Sequence, residues 1–393
     1  MKIALVHKRL DLKGGTEKDL YRTAEGLRDL GHDVHLFCGE YGVPPPRGVL
    51  DHHVAVIPFG RTLRLWSFAM HAPKLVAAVG CDVVMSFGRS LDPDILRSGG
   101  GTHLGFLKSL AKTGGVIRRC WQRISPYHLS LMVMEKRQFR SARVKKIIAV
   151  SEEVKSDILA NYGVSEDRIT VLYNGVDHLR FHPNKRASAR RTIREHWKIP
   201  GDVALVLFVG SGFRRKGLDR ILSLWSSIRL TDVYLLVVGS DARMRHYQNW
   251  AHSVAPGRII FAGRQEDVEN YYAAADILIL PARQEAFGNV VLEALASGIP
   301  VLASRNVGAA EVLSGRLSRG IVENPDEPKD LENTILSLLE SARDPKVSQE
   351  ARRIGEKYSW DNHFRELDRI VHDVMIRRRQ AVGVSGFHTA KTS

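Results

Sequence analysis

Apolar residues in this chain gather in short runs, and the stretches between them carry apolar positions at helical spacing. Lys2 to His7 reads as a buried strand. Gly14-Gly15 follows, then a helical pattern with Leu20, Ala24 and Leu27 on one face, ended by Gly31. Asp33 to Cys38 is the next expected strand, with further β runs at Val54 to Phe59, Asp82 to Phe87, Lys146 to Val150 and Ile169 to Tyr173. Helical patterns lie around Leu63 to Val79 and Glu152 to Ala160. Strands alternating with helices in this way predict a parallel, doubly wound sheet.

From Asn174-Gly175-Val176-Asp177 to about Pro200 the apolar pattern lapses into a basic, polar stretch, which sets the expected domain boundary. A second series then begins with Val203 to Val209 and continues through Val233 to Val238, Ile259 to Ala262, Ile277 to Leu280, Pro300 to Ala303 and Gly320 to Val322. Helical patterns close the chain at Lys329 to Leu339 and Ser348 to Lys357. A last helix opens at Trp360 and places Phe364, Leu367, Ile370, Val371 and Val374 on one side. The expected organisation is a domain over 1–178, a second over 179–358, a helix over 359–380 packed back on the first domain, and a flexible tail over 381–393.

Composition narrows the class. A chain of 393 residues exceeds the size at which single cores stop growing, about 250 to 300 residues. No apolar run approaches the ~20 residues that cross a bilayer, and the N-terminus turns polar too soon for a signal peptide, so a cytoplasmic protein is expected. Cys38, Cys81 and Cys120 lie far apart, which argues for buried, reduced thiols rather than a disulfide framework or a zinc site. The net charge is +15, and its excess concentrates over 104–146, where eleven Lys and Arg stand against Glu135 alone.

Three stretches carry candidate chemistry. Gly14-Gly15 lies at a strand-to-helix turn where backbone N–H groups can approach a phosphate or sugar; a plain tight turn fits as well. Gly210-Ser211-Gly212-Phe213-Arg214-Arg215-Lys216-Gly217 places three cations at a strand's carboxyl end, suited to a diphosphate, although charge runs are often solvated faces. A dinucleotide fingerprint would need glycine where Arg215 stands, which argues against an oxidoreductase. Gln284-Glu285-Ala286-Phe287-Gly288-Asn289 leads into a helix bearing Glu293, so two carboxylates flank a helix start. Asp92-Pro93-Asp94 is read as a turn rather than a metal chelate, and no essential metal is expected. Of the histidines only His103, after Gly99-Gly100-Gly101-Thr102 in an expected flexible loop, is singled out.

Together these pieces resemble the retaining glycosyltransferases of family 4, of the GT-B fold: two Rossmann-like doubly wound parallel-sheet domains facing a central cleft. Glu285-Ala286-Phe287-Gly288-Asn289-Val290-Val291-Leu292-Glu293 fits that family's E-x(7)-E signature. Gly14-Gly15, Asn174-Gly175-Val176-Asp177 and Arg215-Lys216-Gly217 match in order, and the likeness is greatest to the lipopolysaccharide core heptose glucosyltransferase subgroup. One departure is Ser211, where many members carry arginine. The resemblance implies transfer of a hexose, glucose in that subgroup, from a UDP-sugar or other nucleoside-diphosphate sugar bound by the second domain to a lipopolysaccharide-core or lipid-linked saccharide held by the first, without a cofactor. Arg215 and Lys216 would take the charge of the leaving diphosphate. Glu285 would face the donor sugar and Glu293 the ribose, with Phe287, Gly288 and Asn289 at the helix start and Gly14 and Gly15 closing over the donor; Asp19 or His103 would orient the acceptor.

The basic segment interleaves its cations with Trp121, Tyr127, Leu129, Leu131, Met132, Val133 and Met134, as a surface lying on an anionic leaflet does. It occupies the same region as the membrane-interacting segment of the resembled enzymes. Nucleic acid, the rival polyanion, is disfavoured for want of a recognisable motif. Other readings of the chain are a GT-B sugar-nucleotide epimerase or hydrolase and a non-catalytic anion-binding module.

Overall fold

The structure, a computed structural model of the chain, describes residues 1–12, 14–113 and 125–388. It divides into two compact units, Met1–Leu172 with His363–Ser393, and Tyr173–Asn362. In the first, strands β1 (Lys2–His7), β2 (Asp33–Cys38), β3 (Leu50–His53), β4 (Val83–Ser86), β5 (Ile95–Ser98), β6 (Lys146–Ala149) and β7 (Ile169–Val171) form one sheet. Its order is β3-β2-β1-β4-β5-β6-β7. In the second, β8 (Ala204–Val209), β9 (Val233–Val238), β10 (Ile259–Gly263), β11 (Ile277–Leu280), β12 (Val301–Ser304) and β13 (Ile321–Val322) take the order β10-β9-β8-β11-β12-β13. Neighbouring strands in both sheets run parallel.

Each sheet winds outward from a central first strand and then reverses, so the connections diverge between β1 and β4 and between β8 and β11. The crevice beyond the carboxyl ends of those strands is where such sheets bind ligands. The β1 run explains why the first sheet is buried on both sides. Ile3 and Leu5 face a core shared with Leu20, Leu27 and Leu36, while Ala4 and Val6 face Phe37, Phe68, Ala72 and Val76. The helix opening at Trp360 runs to His388, and its Leu367, Ile370, Val371 and Val374 complete the first of these cores. In the second unit Trp225, Phe208, Phe213 and Tyr247 fill the corresponding space.

Local differences from the sequence reading have physical causes. The edge strand is Leu50–His53, polar and paired only with β2, whereas the apolar Val54 to Phe59 leaves the sheet: Val54 is buried, but Ile57 and Phe59 are exposed and Pro58 cannot donate to a ladder. Strand β5 escaped the pattern because Arg97 interrupts its apolar run; Asp19 accepts from Arg97 and makes that burial tolerable. The basic stretch before Pro200 contains a helix, Arg186–Trp197, whose Arg186, Arg190 and Arg194, one turn apart, converge on Asp276 at 2.8, 2.7 and 3.4 Å. His103 is the first residue of a helix, His103–Thr113, not part of a loop. Cys38 and Cys81 are buried free thiols, pushed up to about 12 and about 11 by burial. Cys120, Trp121, Arg118, Arg119, Arg123 and residues 389–393 lie outside the described residues. No helix among the described residues is long and apolar enough to cross a membrane.

Candidate functional site

At the end of β8 the backbone turns through Gly210 and Gly212, at φ 145° and 72°, into the short helix Phe213–Lys216. Gly210 is required by more than its φ. A Cβ there would lie 2.6 Å from Lys216 Cδ, so the lysine stem crosses the glycine. That path delivers Lys216 Nζ to 3.1 Å from Glu285 Oε2, beside Arg215 Nη1 at 2.8 Å from the same oxygen. Arg215 Nη1 also donates to the Gln284 carbonyl at 3.0 Å. Arg214 and Ser211 are exposed.

The loop after β11 is held by backbone pairing. Glu285 N–H donates to Asn306 O, and Gly308 N–H to Glu285 O, both at 3.0 Å. Gly288, at φ 91°, caps the helix Asn289–Ala296; the Val291 N–H donates to the Gly288 carbonyl at 2.9 Å, and the Asn289 and Val290 N–H groups precede that first bond of the helix. Glu285 thus combines a half-buried carboxylate with two cations: its partial burial pushes its pKa up, and Lys216 and Arg215 more than offset this, leaving it below the usual range. Phe287 is buried, with its ring centroid 5.9 Å from that of Tyr173. Asn289 is exposed and accepts from the Asn174 amide at 2.8 Å. Glu293, one side of the helix farther on, accepts from the Tyr272 hydroxyl at 2.6 Å. Of the residues singled out in its sequence, the second unit brings Arg215 and Lys216 onto Glu285, while Phe287 and Gly288 lead from that loop into the helix that carries Asn289 and Glu293.

The first unit presents a cavity of about 330 Å³ at the carboxyl ends of β1, β4 and β5, lined by His7, Glu17, Arg89, Arg97 and His103 among others. Gly14 precedes the helix Gly15–Asp29 as its cap, and a Cβ on it would strike Glu17 Oε2, whereas Gly15 has open space. Asp19 sits behind the cavity wall, buried, with both oxygens engaged by Arg97. His103 Nε2 lies 2.9 Å from His128 Nδ1, and its imidazole is pushed down to about 4 by burial first, then by Arg89 and His128.

Several residues here were not singled out in the sequence. His7, the last residue of β1, is buried and lines the cavity, and its ring nitrogens have no hydrogen-bond partner among the described residues. Its Nε2 lies 3.6 Å from Glu17 Oε1, and that contact is the main reason Glu17 is lowered to about 2. Glu135, fully buried, accepts from the His103 N–H at 2.7 Å, the Tyr162 hydroxyl at 2.6 Å and Arg89. A strand-end histidine was the one available signal; the others depend on tertiary contacts. Asp94 is taken up by the Val84 N–H at 2.9 Å and Arg378 at 3.0 Å, and Asp92 adopts φ 51°. Among the described residues no group of three or more His, Cys, Asp or Glu is placed to hold a metal.

Two Rossmann-like units of 7 and 6 parallel strands constitute the GT-B architecture. Family models give it a family: residues 13–180 match Glycosyltransferase Family 4 and residues 189–358 match Glycosyl transferases group 1, and the chain belongs to these glycosyltransferases. It is 25% identical over 334 residues to the lipopolysaccharide glucosyltransferase WaaG of Escherichia coli, covering 83% of this chain and 86% of that one. A WaaG crystal structure superposes with a TM-score of 0.78 at 22% identity, over 94% of this chain and 99% of that one. An uncharacterized glycosyltransferase of Methanocaldococcus jannaschii is 27% identical over 227 residues, 56% of this chain; the match spans only 58% of that relative's length. Anabaena HepE, solved in complex with UDP-glucose, has a TM-score of 0.71 at 17% identity over 95% of this chain and 100% of that one.

Proposed function

We propose that this glycosyltransferase is a retaining, metal-independent hexosyltransferase that moves glucose from UDP-glucose to a lipopolysaccharide-core or other lipid-linked saccharide at the inner face of the cytoplasmic membrane. The observation that carries the reading is Glu285 held ionised by Arg215 and Lys216 at the reversal point of the second sheet. A diphosphate entering there would draw the two cations from the carboxylate, joined by the N–H groups at Gly288-Asn289. As the bond from the anomeric carbon to the diphosphate breaks, these groups stabilise the charge on the leaving oxygen. The acceptor hydroxyl bonds to the anomeric carbon on the same face and gives its proton to the departing phosphate, while Glu285 offsets positive charge on the sugar. Glu293, oriented by Tyr272, accepts from the ribose hydroxyls.

In the first unit the cavity beside Gly14 and Gly15 would receive the acceptor, with His103 neutral at pH 7 and able to accept a hydroxyl proton in a hydrogen bond. Asp19 would act only through Arg97. Support for the membrane surface comes from the helix Pro126–Arg140, which exposes Leu129, Val133, Lys136, Arg137 and Arg140 while its lone acid, Glu135, is buried.

The test is a screen of nucleoside-diphosphate sugars with core oligosaccharide acceptors, with and without EDTA, following the product's anomeric proton by NMR. The expected result is transfer from UDP-glucose with the donor's configuration kept and no effect of EDTA. Inversion, dependence on a divalent metal, or release of an epimer or free sugar as the main product would contradict it.

A further inference from the structure

The cavity beside His7 and His103 adjoins a second, of about 380 Å³, with Lys8, Leu65, Arg89 and Tyr127 lining both. The two differ in charge. To Lys8 and Arg89 the second adds Arg9, Arg61 and Arg64, against Glu40 as its only lining carboxylate among the described residues.

What these cations already do decides what remains for a ligand. Arg89 is committed to buried Glu135, and Arg9 Nε lies 3.0 Å from Asp11. Arg64 reaches Glu40 only at 3.9 Å, with both side chains more than half exposed, a contact too screened to neutralise it. Lys8 and Arg61 form no ion pair among the described residues. Instead the Arg61 guanidinium lies 4.1 Å from the centroid of the Tyr127 ring, which holds the head group at the cavity. Val56, Leu65 and Phe68 supply an apolar wall, against which a charge pair is less screened than in open water.

We propose that this second cavity binds a phosphate monoester carried by the acceptor saccharide, so that the protein selects a phosphorylated acceptor. The proposal rests on the reading of the adjoining cavity as the acceptor site. A dianion matches the three cations left largely unneutralised, Lys8, Arg61 and Arg64, and guanidinium groups can bond phosphate oxygens in pairs. The shared wall places a bound phosphate next to the cavity that holds His7 and His103. The volume of about 380 Å³ falls within the range of small-ligand sites.

The test uses the full chain and the double variant Arg61→Gln/Arg64→Gln. Both residues are exposed, in the first turns of the helix Arg61–Val79, so folding should be retained, and thermal melts check it. Glucose 6-phosphate, glucose, inorganic phosphate and UDP are titrated calorimetrically, and flotation with phosphatidylglycerol vesicles is measured in parallel. Glucose 6-phosphate and phosphate are expected to bind the wild type, the sugar phosphate more tightly than glucose by roughly tenfold or more, as one or two charge-assisted hydrogen bonds imply. The double variant is expected to lose that margin and keep its UDP affinity. Equal binding of glucose and its phosphate, or an unchanged margin in the variant, would overturn the proposal. So would a variant in which vesicle binding alone falls, since the anion would then be a lipid headgroup. Failure of the wild type to bind UDP would count instead against the donor assignment, leaving the phosphate comparison readable by itself.

Discussion

Lys216 Nζ lies 3.1 Å from Glu285 Oε2, and the lysine stem that reaches there crosses Gly210. This contact ties the turn after β8 to the loop after β11, the two strands between which the second sheet reverses. An ion pair so enclosed is costly to leave half made. Without a cation beside it the Glu285 carboxylate would keep the full penalty of burial, and its pKa would rise rather than fall.

Tyr272 is fully buried, and its hydroxyl donates to Glu293 at 2.6 Å. Tyr272→Phe keeps the ring packed against Phe181 but removes a hydrogen bond to the Glu293 carboxylate. The expected cost is about 1–3 kcal/mol of stability, seen by denaturant melts. If Glu293 holds the ribose, the variant should raise the KM for donor more than it lowers kcat.

Gly26 lies where the last helix crosses the first: a Cβ there would be 2.3 Å from Phe364 Cδ2. Gly26→Ala should therefore destabilise by roughly 1–3 kcal/mol in spite of alanine's better helix propensity. Gly26→Ala/Phe364→Leu should recover part of the loss. A Gly26→Ala protein with unchanged or raised Tm would show that the helix can shift away.

His103 carries a pH dependence. Its folded pKa, about 4, is below the ordinary 6.5. Between those values the unfolded chain takes up a proton that the folded chain refuses. This contribution to stability is complete above pH 6.5 and is lost as the pH falls toward about 4. Tm measured across that window should fall more steeply for the wild type than for His103→Gln, and parallel curves would contradict the assignment.

Lys136, Arg137 and Arg140 are exposed on the helix that carries Leu129 and Val133. Replacing all three with Gln should weaken partition onto phosphatidylglycerol vesicles by about 3 kcal/mol, roughly two orders of magnitude at low salt. Binding unchanged by the substitutions, or insensitive to salt, would remove this helix from the membrane contact.

The fold was legible where burial imposes a plain pattern. Strand β1 reads from its run of Ile3 to Val6 because both faces are covered, and the last helix reads from Leu367, Ile370, Val371 and Val374 because one face is. Strand β5 was hidden because Arg97 sits within it, and the carboxylate that pairs with that buried guanidinium, Asp19, is 78 residues away in sequence. Likewise the polar helix Arg186–Trp197 holds to the second unit through Asp276 rather than through an apolar face alone. The candidate residues of the second unit were readable because they are contiguous in two short stretches. Those of the first unit, His7, Glu17, Arg89 and Glu135, come from separate elements and meet only in three dimensions.

The most direct measurement is the rate of glucose transfer from UDP-glucose by Glu285→Gln and Lys216→Ala, with UDP affinity determined on the same preparations. Glu285→Gln is predicted to lower kcat by about 10² to 10³ while binding UDP within about threefold of wild type, and Lys216→Ala to lower both kcat and UDP affinity. Wild-type kcat in Glu285→Gln would contradict the assignment of this carboxylate to the reaction.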